Sequence, residues 1–124
     1  NDILNGGLGV DMLTGGAGAD TFQFDSALGP ANHDVISDFD SLGDGDMLQL
    51  SAAIFSHLTF TNGVLDAACF HAYDNGTYTL NSAFIEYASS TGNLYYDDGL
   101  GTTSLFANIG AANAIANTDI VGTL

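Results

Sequence analysis

Aspartates stand at positions 2, 11 and 20, nine residues apart, and each is followed two residues later by a large apolar side chain: Leu4, Leu13 and Phe22. Gly6-Gly7-Leu8-Gly9 and Gly15-Gly16-Ala17-Gly18 fill the gaps in the same register. A carboxylate beside glycine backbone, whose carbonyls lie open to close approach, is an all-oxygen donor set. With no thiolate cluster in the chain, such a set favours a hard cation, Ca²⁺ over zinc or copper. The charge count points the same way. The 124 residues hold fourteen Asp, one Glu and no Lys or Arg, a formal net charge of −15 with the three His neutral. No side-chain salt bridge to Lys or Arg is available, so a bound cation is what offsets this self-repulsion. Nucleic acid and anionic membrane surfaces both require basic residues and are excluded as direct partners, and a substrate carboxylate or phosphate is disfavoured.

The spacing dictates the element that positions these aspartates. In each unit of nine, six residues make a turn and three a short strand whose one large apolar side chain points inward. If two units complete one coil, residues 18 apart stack. Asp2 then lies against Asp20 at about the 4.8 Å spacing of neighbouring strands, roughly twice a Ca–O distance of about 2.4 Å. Two carboxylates and the glycine-loop carbonyls supply the six to eight oxygens that Ca²⁺ takes, where Mg²⁺ demands a tighter octahedron. The expected ligand set is Asp2, Gly6, Gly7, Gly9, Asp11, Gly15, Gly16, Gly18 and Asp20. Leu4, Leu13 and Phe22 are in phase for the interior.

The pattern Gly-Gly-x-Gly-x-Asp-x-U-x resembles the calcium-binding nonapeptide of RTX proteins. The runs Asp20-Thr21-Phe22-Gln23-Phe24, Asp34-Val35-Ile36-Ser37-Asp38-Phe39 and Gly45-Asp46-Met47-Leu48-Gln49-Leu50-Ser51 are similar to the segment that follows such repeats. That segment ends type I-secreted bacterial proteins, serralysin-type metalloproteases among them. The resemblance implies an all-β fold: a calcium-binding parallel β-roll with a flanking strand region over 1–50, and a β-rich C-terminal cap over 51–124, as one continuous domain. It also implies Asp34 as ligand of a last, irregular site, in a loop where Gly29-Pro30 replace a Glu that many relatives carry. Asp38 joins the set because the alternation of Val35 and Ser37 against Ile36 and Asp38 places it at a strand end facing the loops.

Beyond residue 50 the glycine repeat stops. Asn62-Gly63 and Asn75-Gly76 read as tight hairpin turns. Strands are expected over 83–87, 93–96 and 104–109, with short helical turns after Ser51 and near Ala111. This segment is placed to cover an open solenoid end. Phe84-Ile85-Glu86-Tyr87, Thr91-Gly92-Asn93-Leu94-Tyr95-Tyr96-Asp97 and Thr118-Asp119-Ile120-Val121 also resemble the segment that closes such proteins. By that resemblance Asp97 and Asp98 are further metal candidates, in a loop one residue shorter than the family's, and Asp119, Ile120 and Val121 form a C-terminal secretion signal. The implied partners are calcium ions, a type I exporter and an upstream domain of the same chain, and the implied location is extracellular.

Other readings find less support. Asp38, Asp40, Asp44 and Asp46 fail the EF-hand spacing and read mainly as solvated turns. His33, His57 and His71 are scattered without a His-Glu-x-x-His motif, and Cys69 is alone and reads as a small buried residue. Asp97 and Asp98, adjacent on a strand, face opposite ways, which is wrong for paired acid–base catalysis. No apolar run reaches the roughly 18 residues of a membrane span. The expectation is a non-catalytic calcium module. The alternative is an adhesion or glycan-binding module working through exposed Tyr73, Tyr78, Tyr95 and Tyr96.

Overall fold

A computed structural model describes residues 1–73 and 84–123. Among these residues the fold is all-β, and twelve strands form two six-stranded sheets. The first five alternate between the sheets. β1 (Ile3–Asn5), β3 (Thr21–Phe24) and β5 (Met47–Ser51) pair in parallel in one sheet, and β2 (Met12–Leu13) and β4 (Asp34–Ile36) pair in parallel in the other. The chain therefore winds as a coil, one strand to each side. Alternation of side chains drives it: Phe22 and Phe24 are buried between half-exposed Thr21 and Gln23, and Leu48 and Leu50 between Met47 and Gln49. Leu4 and Leu13 pack against the core from its less covered end, while Met12 faces solvent, as the register requires.

The register lengthens along the coil. Ile3 lies beside Thr21, 18 residues on; Met12 lies beside Val35, 23 on; Thr21 lies beside Met47, 26 on. Only the first step is the regular two-unit repeat. The extra residues form the loops before Asp34 and Asp46.

Both sheets are mixed, not purely parallel, because the later strands continue the same two layers. The first is completed by β6 (Phe60–Thr61), β7 (Val64–Leu65) and β12 (Ile120–Thr123), in the order β1-β3-β5-β12-β7-β6. The second is completed by β8 (Phe70–Tyr73), β9 (Phe84–Ala88), β10 (Asn93–Asp97) and β11 (Thr103–Asn108), in the order β2-β4-β11-β10-β9-β8. β12 and β11 run parallel to β5 and β4, antiparallel pairs follow outward, and the second sheet ends on the parallel pair β9–β8. Phe55, on the turn after β5, bridges the layers: its ring lies 5.1 Å from both Tyr96 and Phe106, edge to face.

The Asn62-Gly63 hairpin forms as expected, with φ of +54° and +82° at its two central residues. Asn75-Gly76 lies outside the described residues. A turn closes after Ser51 through the Phe55 N–H on the Ser51 carbonyl, 2.9 Å. Near Ala111 no helical turn forms, because Ala112 sits at φ +56° and Asn113 is held by its N–H on the Tyr87 hydroxyl, 2.7 Å. The 3₁₀ turns fall instead at Ala67–Cys69 and Asn117–Asp119. Cys69 is buried. No helix among the described residues is long and apolar enough to cross a membrane.

Candidate metal centre

The coil stacks the aspartates in two columns. In the first, the Asp2 N–H donates to Asp20 Oδ1 at 2.5 Å, and the Asp20 N–H donates to Asp46 Oδ1 at 3.0 Å. In the second, the Asp11 N–H donates to Asp34 Oδ1 at 3.1 Å. One carboxylate oxygen of Asp20, Asp34 and Asp46 is thereby fixed to the backbone of the preceding turn. The other oxygens differ in fate. Asp11 Oδ2 and Asp20 Oδ2 are buried with no hydrogen-bond partner, although Asp20 is only 1% exposed. A buried anionic oxygen without a partner costs several kcal/mol or more, so these two atoms call for a counter-charge. The α-amino group of Asn1 lies 3.5 Å from Asp20 Oδ1.

The glycine loops close on these oxygens. A Cβ at Gly15 would stand 2.5 Å from Asp20 Oδ2, and one at Gly6 would stand 2.7 Å from Asp34 Oδ2 and 3.0 Å from Asp11 Oδ2. Gly6 and Gly15 are thus the walls of two cradles that any side chain would fill. Gly7, Gly9, Gly16 and Gly18 serve the turn itself, all at positive φ. Burial pushes the Asp34 carboxyl above its ordinary value and the neighbouring Asp11 charge adds to this, against the Asp11 N–H and His33, which lower it. The second column therefore holds two carboxylates that repel each other. Buried oxygens of like charge beside open backbone fit a hard divalent cation, and Ca²⁺ before Mg²⁺; the one nitrogen nearby is His33 Nδ1, next to Asp34 in the chain and also buried without a hydrogen-bond partner.

The remaining candidates are distributed as follows. Asp2 is exposed at the outer end of the first column. Asp38 accepts the Gly15 N–H on Oδ1 at 3.0 Å and the Gly16 N–H on Oδ2 at 2.7 Å. Asp97 and Asp98, at the end of β10, fold onto their own loop: Asp97 Oδ1 accepts the Gly99 N–H, and Asp98 Oδ1 accepts those of Leu100 and Thr102. The Leu100 and Thr102 N–H groups hold Asp98 below the ordinary Asp value. Among the described residues, no three His, Cys, Asp or Glu side chains converge on one point, so a cation here would have to draw on pairs of carboxylates and backbone carbonyls.

Three participants escaped the sequence reading. Asp46 is neither solvated nor a separate site; it is 2% exposed and ends the first column. Its signal was the phase of Asp46-Met47-Leu48-Gln49-Leu50, identical to Asp20-Thr21-Phe22-Gln23-Phe24 once a loop is inserted between them. Asn32 Oδ1 accepts the Gly9 N–H at 2.9 Å, and Asn1 Oδ1 accepts the Ala19 N–H at 3.2 Å.

One further expectation changes. Tyr96 is buried, with its hydroxyl accepting the His57 N–H at 3.2 Å, so it offers no exposed ring to a glycan; Tyr95 is half-buried, and Tyr78 and the side chain of Tyr73 lie outside the described residues. Ile120 is fully buried in β12, between β5 and β7, with Asp119 Oδ2 accepting the Ala116 N–H at its start. Removing this strand would open the first sheet.

Comparison with protein-family models and with curated proteins finds no match to this chain.

Proposed function

We infer that the chain is a calcium-binding module of the RTX type, in which residues 1–50 form a parallel β-roll and the later strands cap it. The observation that carries this reading is the pair of buried carboxylate oxygens without partners, Asp11 Oδ2 and Asp20 Oδ2, each at a glycine wall. The winding of β1 to β5 alternately into two layers supports the roll. Asp11 and Asp34 would hold one ion with the carbonyls of loop 6–11, and Asp20 with Asp2 another, with those of loop 15–20. A bound Ca²⁺ supplies the positive charge that no side chain provides. The chain's own part is to hold one oxygen of Asp20 and of Asp34 on a backbone N–H, leave Asp11 Oδ2 and Asp20 Oδ2 without a partner, and keep side chains out of the gap.

The module's role follows from that linkage. Without the ion, nine of the fifteen acidic residues crowd into residues 1–46 and repel, which favours an open chain able to thread a type I exporter. At extracellular millimolar Ca²⁺ each filled site adds RT ln(1 + [Ca²⁺]/Kd) to the stability of the closed form. Asp119, Ile120 and Val121 would then be read by the exporter on the unfolded chain and bury as β12 afterwards. The module is non-catalytic and secreted as the end of a larger protein. Calorimetric titration of Ca²⁺ into wild type, Asp20→Asn and Asp98→Asn tests the site. Asp20→Asn is expected to lose a binding event and Asp98→Asn to keep it; equal behaviour of the two variants would mean that the carboxylates act through bulk charge alone.

A further inference from the structure

Away from the aspartate columns, the loop that joins β10 to β11 borders a cleft of about 300 Å³. Leu28 and Ile54 give it apolar walls, and His57, Tyr96, Asp98 and Ser104 supply polar groups. Tyr96 is buried, and its hydroxyl accepts the His57 N–H at 3.2 Å and lies 3.4 Å from His57 Nδ1. Ser104 stands beside Tyr96 in the pairing of β10 with β11. Asp98 is half-exposed, and its Oδ1 accepts the Leu100 and Thr102 N–H groups at 2.8 and 3.1 Å, which holds the carboxylate in place. Nothing among the described residues donates to Asp98 Oδ2. Burial pushes the Tyr96 hydroxyl above its ordinary value, against the His57 N–H, and the Asp98 and Asp97 charges push it the same way, so the carboxylate field reaches the buried phenol. The cleft therefore combines a negative field with oxygen acceptors, and the chain has no Lys or Arg of its own to fill it.

We propose that this cleft binds a primary ammonium group on an alkyl stem, with Asp98 Oδ2 taking the charge, the Tyr96 and Ser104 hydroxyls accepting its remaining N–H groups, and Leu28 and Ile54 packing on the stem. An ammonium carries three donors and no acceptor, the complement of a lining built from one carboxylate and hydroxyls. An anionic ligand would meet Asp98 and a net charge of −15 with no basic residue to offset either. A neutral alcohol can use the apolar walls but not the charge. The volume stands at the small end of ligand sites, which suits a free alkylamine or a single lysine side chain of a partner. None of the polar groups belongs to an aspartate column, so the site does not rest on the calcium reading.

NMR titration of the chain 1–124 in millimolar CaCl₂ tests this, with n-butylammonium chloride, n-butanol as its neutral counterpart, and Nα-acetyl-lysine methylamide as probes. The ammonium is expected to shift the His57 and Tyr96 signals and the amides of 98–102 saturably, and n-butanol to leave them in place. Asp98→Asn keeps an Oδ1 acceptor for Leu100 and Thr102 but loses the charge, and should weaken the ammonium about fivefold, the upper end for a partly exposed ion pair. Asp44→Asn removes the same charge from an exposed turn and should leave the affinity unchanged. Ser104→Phe, which fills the cleft from another wall, should abolish the shifts. A response to the lysine derivative as well supports the site as one for a protein side chain, and a response to butylammonium alone supports it as one for a free amine. Equal weakening by Asp98→Asn and Asp44→Asn would reduce the effect to bulk charge, and an equal response to n-butanol would reduce it to an apolar cleft; either overturns the proposal. Displacement of the ammonium by added CaCl₂ at constant ionic strength would make Asp98 a metal ligand and overturn it too.

Discussion

Substituting Gly15 by alanine isolates the contact between glycine backbone and carboxylate on which the proposed calcium site depends. The added Cβ would stand 2.5 Å from Asp20 Oδ2 and 2.9 Å from Asp20 Cγ, whereas real Cβ contacts essentially never come below 3.0 Å. The carboxylate oxygen must therefore retreat by at least the difference between 3.0 and 2.5 Å. Metal–oxygen distances tolerate only about 0.2 Å, so such a retreat removes Asp20 Oδ2 from the site. Disturbing the support of a ligand typically weakens metal affinity 10- to 100-fold, about 1.4–2.8 kcal/mol. Gly16→Ala is the matched control. Its Cβ would meet nothing within 4 Å, but φ is +86°, a left-handed conformation that costs a non-glycine residue about 1–2 kcal/mol with or without the ion. Calorimetric titration with Ca²⁺, beside thermal unfolding in EDTA, separates the two. Gly15→Ala is expected to lose affinity and Gly16→Ala to lose stability in EDTA. Calcium affinity of Gly15→Ala equal to that of wild type would refute the assignment of Asp20 Oδ2 to the cation.

Phe22, fully buried beneath the first column, should cost about 3–5 kcal/mol when cut to alanine, read as a lowered melting temperature in Ca²⁺ and EDTA alike. An effect confined to the Ca²⁺ sample would mean that Phe22 acts through the metal site and not through the core. Asp66 is held below the ordinary Asp value of 3.8 by hydroxyl donors on Thr61 and Thr59. A depressed folded value favours the ionised form, so its contribution to stability is present above the ordinary value and lost as the pH falls through the lower one. A titration of the Asp66 carboxyl by NMR should give a midpoint below 3.8, and a midpoint at or above it would contradict the hydrogen bonding.

What was legible in the sequence was local. Period-two alternation at Thr21–Phe24 and at Met47–Ser51, the phase of Leu4 and Leu13, and the positive-φ pair Asn62-Gly63 each follow from a few neighbouring residues. The partner of Asp11 was not legible from a fixed period, because an inserted loop moves its register from 18 residues to 23 and so brings it to Asp34. Asp46 looked like a solvated turn residue for the same reason: only the pairing of β3 with β5 puts it beneath Asp20. The place of Ile120–Thr123 between β5 and β7 depends on contacts with residues far away in the chain, and no short-range pattern announces it. Tyr96 shows the limit of reading strand faces without a partner layer. Its alternation with Tyr95 was visible, but which of the two meets Phe55 depends on how the sheets face each other.

The central claim is that folding of this chain is linked to Ca²⁺ through a small number of sites. Thermal unfolding of residues 1–124 in EDTA, in millimolar CaCl₂ and in millimolar MgCl₂ tests it most directly. With free Ca²⁺ at about one hundred times Kd, each site adds about 2.7 kcal/mol, a rise in melting temperature of roughly 10 °C per ion for a chain of this size. The account predicts a midpoint that climbs with the logarithm of Ca²⁺ concentration and responds little to Mg²⁺. Superimposable melting curves in EDTA and in Ca²⁺ would contradict it.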